Sequence, residues 1–144
     1  MLGMFKKVLG DNVKKYSGQK DFLEAVCASS ALVAAADGNI SDQEVEGLIK
    51  TIAANPVLNA SFNSREIETT AQQMLDRAAK GGRMGRMGLH REIEEACSDP
   101  DKAEAIILAA LDVAESDGNI DTTEMAVLEK IASNVKVDLK RLMA

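Results

Sequence analysis

Apolar residues recur three and four positions apart along most of this chain, with polar residues filling the positions between. That is the period of a helix with one buried face. Phe22, Val26, Ser29/Ser30 and Val33 make such a face over about residues 21–36. Val45, Leu48, Ile49 and Ile52 make a second, which Asn55-Pro56 closes because the residue before a proline disfavours helix. Asn63-Ser64-Arg65-Glu66 reads as a capping box that opens a third helix, carried inward by Ile67, Ala71, Met74, Leu75 and Ala78. A short helix is predicted over residues 89–97. A longer one follows over residues 100–116, launched by Asp99 as N-cap and Pro100 in the first turn. Met125, Leu128, Ile131 and Ala132 define another, and Val137-Asp138-Leu139 begins a last short one. Leu2, Phe5, Leu9, Val13 and Tyr16 add a stripe at the start of the chain. No run of alternating β-branched residues suggests a strand. The pattern predicts an all-α protein, a compact bundle of about seven to eight helices.

The pattern also repeats. Asp37-Gly38-Asn39-Ile40-Ser41-Asp42-Gln43-Glu44 returns 80 residues later as Asp117-Gly118-Asn119-Ile120-Asp121-Thr122-Thr123-Glu124. Each copy follows an Ala-rich run, residues 31–36 and 109–114, and leads into a second periodic run. The unit is helix, Asp-Gly turn, helix, with repeat units at about residues 21–53 and 101–133. Both units fall within a single expected domain over residues 1–144. Gly38 and Gly118 suit the left-handed stop of a helix. Ser41 and Asp121 read as N-caps with Glu44 and Glu124 three positions on, the reciprocal capping box. Ile40 and Ile120 pair with Val45 and Met125 as hydrophobic staples.

These folding devices account for every position but two. Asp37 and Asp117 end helices, where the macrodipole disfavours an acid by about 0.3–1 kcal/mol. An Asx-turn back to the loop backbone would offset that cost, and so would a cation shared with Glu44 and Glu124. The spacing from aspartate to glutamate equals positions 5 to 12 of an EF-hand loop. Positions 1 and 3 would be Val33 and Ala35, or Val113 and Glu115, so neither copy is an EF-hand. Asp37, Glu44, Asp117 and Glu124 therefore form a candidate metal set assembled from both turns. Four oxygens without thiolate or imidazole favour calcium, magnesium or manganese, with zinc the lesser alternative.

The two Asp-Gly-x-Ile-x-x-x-Glu turns, together with Ala25-Val26-Cys27-Ala28 on the helix before the first, resemble the TerB-like tellurite-resistance proteins. A short N-terminal segment containing Phe and Lys adds to the resemblance, which covers essentially the whole chain and is weakest over residues 55–98. It implies a compact helical fold with pseudo-two-fold halves. It further implies a part in tellurite resistance and stress response, an acidic surface and proposed metal binding.

Composition narrows the function classes. Aromatics are 3% of the chain, and the formal net charge is -6. The acids concentrate between Glu92 and Glu129, whereas the start and the middle of the chain are basic. That balance, without aromatics among the basic residues, argues against nucleic acid as a partner. No apolar run approaches the roughly 20 residues of a membrane span. The N-terminus lacks a signal-peptide core, so the expected location is cytoplasmic, with a peripheral position at the inner face of the membrane as a variant. Cys27 and Cys97 read as free thiols in helices. His90 is the sole histidine, and no nucleophile stands beside a base, so no enzyme is predicted. Gly81-Gly82-Arg83-Met84-Gly85-Arg86-Met87-Gly88 lacks both a preceding strand and a Gly-Lys-Ser/Thr ending, and so is no phosphate loop. It is expected to be a flexible basic loop or a weak helix start, its arginines facing the acidic C-terminal half. The expected function is a non-enzymatic stress-resistance module that binds a metal or a protein through its acidic turns. The alternative is an ion-free adaptor whose acidic surface binds a basic or membrane-associated partner.

Overall fold

The structure is a computed structural model that describes residue 16 and residues 18–144 except 39 and 117. Its described residues form eight helices and no strands: α1 (Lys20–Ala34), α2 (Asp42–Ala53), α3 (Pro56–Ser61), α4 (Ser64–Lys80), α5 (Gly82–Ala96), α6 (Pro100–Glu115), α7 (Thr122–Asn134) and α8 (Leu139–Met143). The all-α expectation holds. The stripe at Leu2, Phe5, Leu9 and Val13 lies outside the described residues.

The axis of the bundle is α1. Its sequence is apolar or small nearly all the way round, and a helix of that kind can only be buried. Accordingly Phe22, Leu23, Val26, Cys27, Leu32 and Val33 are all buried, and α4, α5, α6 and α7 pack around it. Its alanines let α6, almost as apolar and carrying Ile106, Ile107 and Leu111, approach closely. The remaining helices are amphipathic and form the outer layer. α2 packs on α4, and α8 packs on α7.

Two sequence expectations change here. Asn55-Pro56 does more than end α2: the buried Asn55 side chain accepts hydrogen bonds from Val57 N (3.0 Å) and Leu58 N (3.3 Å), starting the short helix α3. At α4, Asn63 accepts the Glu66 N–H at 2.8 Å, but Glu66 reaches across to Lys20 Nζ at 3.3 Å. That start is half a capping box, because an ion pair to a neighbouring helix competes for the glutamate.

The glycine-rich stretch is helical. α5 runs without a break from Gly82, where φ of 62° turns the chain after α4, through to Ala96. Low helix propensity predicts a loop here; close packing overrides it. A Cβ on Gly85 would lie 2.4 Å from the Arg77 carbonyl oxygen, so the two helices meet backbone to backbone at that point. Leu89 and Ile93 then bury the rest of α5. Arg77 stays at the crossing and pairs with Glu92 at 2.8 Å.

A buried lysine fixes the far end of the bundle. Lys102 Nζ donates to Asp21 Oδ2 at 2.6 Å and Gln19 Oε1 at 2.7 Å, and stands 6.0 Å from the Tyr16 ring centre. Tyr16 in turn donates its hydroxyl to Asp99 at 2.9 Å. This network ties the entry of α1 to the entry of α6.

Candidate functional site

The two turns are built alike. Gly38 N–H donates to Ala35 O at 2.9 Å with φ of 89°; Gly118 N–H donates to Glu115 O at 3.0 Å with φ of 115°. Both angles lie in the region that only glycine enters without strain. The capping boxes form as the sequence predicts. Glu44 N donates to Ser41 Oγ at 3.1 Å, and Ser41 N to Glu44 Oε1 at 3.3 Å. Glu124 N donates to Asp121 Oδ1 at 2.8 Å, and Asp121 N to Glu124 Oε1 at 3.1 Å. Each capping glutamate commits one oxygen to the backbone and leaves Oε2 for other work.

The tertiary fold brings the turns to one cavity of about 280 Å³. Asp37 and Glu44 line it from the first turn, Asp121 and Glu124 from the second, with Val33 and Val113 beneath them. Three of the four predicted metal residues, Asp37, Glu44 and Glu124, thus face a common space. Asp117 lies outside the described residues. Asp121, which the sequence suggests as a cap, joins the cavity wall. Among the described residues no group of three or more Asp, Glu, His or Cys side chains could hold a metal ion. The carboxylates line the walls without closing into a shell.

Sequence reading placed Ser30 on an inner helical face but did not assign it to the site. It lies on the inner face of α1, is 5% exposed, and lines the same cavity. Ser29 beside it returns its hydroxyl to Ala25 O at 2.8 Å, but Ser30 Oγ is buried without a hydrogen-bond partner among the described residues. Inward placement was legible from the helical period. The missing partner is a property of the assembled cavity.

The model of the family described as tellurite resistance protein TerB matches residues 23–143, nearly the whole chain. The chain belongs to the TerB family. Neither the curated proteins nor the solved structures compared with it give a match. The two thiols of this TerB domain are free, as expected from sequence. Burial pushes Cys27 up to about 12 and Cys97 up to about 11, so neither is a ready nucleophile at neutral pH. No helix among the described residues is long and apolar enough to cross a membrane.

The arginines of the glycine-rich stretch meet the C-terminal half at Val127, Lys130 and Asn134 rather than at its acids. Arg83 and Arg86 line a groove on the other side of the end of α1, together with His90 and with Lys130 from α7. Their spacing on α5, one face of a helix, was legible. Their meeting with Lys130 was not.

Proposed function

We propose that this TerB protein acts without catalysis in a tellurite-resistance system, binding a divalent cation between its two Asp-Gly turns and presenting the loaded surface to a protein partner. The observation that carries this reading is the single cavity walled by carboxylates from both turns, with a buried hydroxyl that has no partner among the described residues. An unsatisfied buried hydroxyl costs about 1–3 kcal/mol, which a ligand or its water would recover. The donors are carboxylate and hydroxyl oxygens, which suit hard cations. Because the described carboxylates form no direct three-ligand group, a hydrated ion fits best, its waters bridging to the walls. Magnesium keeps its waters most firmly; calcium and manganese suit the same donors. The protein would act in the cytoplasm, with a membrane-peripheral partner as one setting.

That same lack of a direct ligand group favours a second reading, an ion-free adaptor whose turns are folding devices and whose acidic surface steers a basic partner. Thermal melting of the metal-stripped protein separates the two. A ligand that binds the folded state at a hundred times its dissociation constant adds about 2.7 kcal/mol. If calcium, magnesium or manganese raises the melting temperature and Asp37→Asn with Asp117→Asn removes the effect, the cation reading stands. If no ion, zinc included, shifts the wild type, the adaptor reading replaces it.

A further inference from the structure

The groove on the opposite side of the α1 terminus has about 760 Å³ of space, within the range of small-molecule sites. Arg83, Arg86 and Lys130 line it, and none of the three forms an ion pair with a described carboxylate. Among the described residues no acidic side chain lines it. In a protein of net charge -6, three cations gathered without counter-charge are an anion site in waiting. His90 stands among them and is held below its usual value by burial first and Lys130 second, against the opposing pull of Glu94. It is therefore a neutral hydrogen-bonding group at pH 7. Leu32 from α1, Ala35 just past its end, Val127 from α7 and Met87, which is 62% exposed, give the groove an apolar side, and Asn134 adds an amide at the end of α7.

We propose that this groove binds an organic phosphate, the phosphate on Arg83, Arg86 and Lys130 and an apolar body along Leu32, Ala35, Val127 and Met87. Guanidinium forks match the oxygens of a phosphate in pairs, which a lysine alone does not. The groove is much larger than a phosphate ion, and half its surface would be idle with an inorganic anion. This site is independent of the Asp-Gly turns and of any cation there.

Hexyl phosphate is the probe, followed by calorimetry and by the NMR titration of His90, whose resonance is unique because the chain has one histidine. Hexyl phosphate should bind, inorganic phosphate and hexanol more weakly, and the phosphate charge should raise the His90 pKa. His90 is flanked by Arg86 and Glu94 on its own helix and faces Lys130 from α7; α1 brings no titratable group to the groove. Arg83→Ser with Arg86→Ser should lower affinity about tenfold or more; both side chains are exposed, so the fold is spared. Lys130→Ser should lower it less. Absence of hexyl phosphate binding, equal binding of inorganic phosphate, or unchanged affinity in the double variant would each overturn the proposal. A soluble ester and a lipid headgroup share this chemistry. Co-sedimentation with phosphatidic-acid vesicles, lost in the double variant, assigns the phosphate to a lipid; hexyl phosphate binding without co-sedimentation assigns it to a soluble ester.

Discussion

Two hollows flank the C-terminal end of α1, and they are made in opposite ways. Asp37 lines one and Gly38 lines the other, so a single residue step separates an acidic cavity from a basic groove. The acidic side is local chemistry written twice: a glycine stop, a cap, and a glutamate three residues on. The basic side has no such motif. It exists because α5, which its glycines alone would keep unwound, is pinned against α4 and thereby set beside α7. A capping motif folds wherever it is placed, whereas a groove between helices survives only as long as their packing does.

Gly85→Ala should test that difference most severely. The new methyl would collide with the Arg77 carbonyl, and overpacking of this kind costs about 1–3 kcal/mol. Chemical denaturation should show a loss toward the upper end, because the obstacle is backbone. Hexyl phosphate binding should weaken with it, while the response to divalent ions persists. If both responses fall together, the two hollows are not separable.

Asp37→Asn with Asp117→Asn is the reciprocal change. It should abolish up to about 2.7 kcal/mol of cation-dependent stability at saturating ion and leave hexyl phosphate affinity unchanged.

Ser30→Ala sharpens the assignment of the acidic cavity, because its effect has opposite signs with and without ion. In metal-stripped protein the variant should be equal to or more stable than the wild type, by up to about 1 kcal/mol, since an unsatisfied hydroxyl is removed. With saturating cation the advantage should shrink or reverse in thermal melts. A loss of stability in the absence of ion would mean that Ser30 has a partner within the protein.

The smallest effect belongs to the groove. His90 titrates below 6.5 in the folded protein, so the unfolded chain takes up its proton first. Its contribution to stability is complete above about 6.5 and is lost as pH falls through the folded value. Relative to His90→Gln, the wild type should lose stability as pH drops below about 6.5, read from denaturation midpoints at matched ionic strength. A relative gain would contradict the burial of the imidazole beside Lys130.

Particular residues show where sequence reasoning reached and where it stopped. Asp99-Pro100 and Asn55-Pro56 carry the same cap-and-proline signal; the first announced α6, while the second was read as an ending and conceals α3. Glu66 matched a capping box and left it for Lys20, a partner 46 positions away in sequence. Lys102 lies within the acidic stretch of the sequence, and the fold buries it against Asp21 and Gln19.

The sequence alone determined the helices other than α3 and the first half of α5, the two glycine turns with their caps, the free thiols and the TerB resemblance. Each of these rests on periodicity, backbone conformation or contacts within one turn of chain, which short-range physics decides. Tertiary structure alone decided that Asp37, Glu44, Asp121 and Glu124 share a cavity with an unpaired serine, that glycines build a helix crossing, and that Arg83 and Arg86 meet Lys130. Those outcomes depend on which helix faces lie opposite one another, and that is settled by the packing of side chains far apart in the chain around α1.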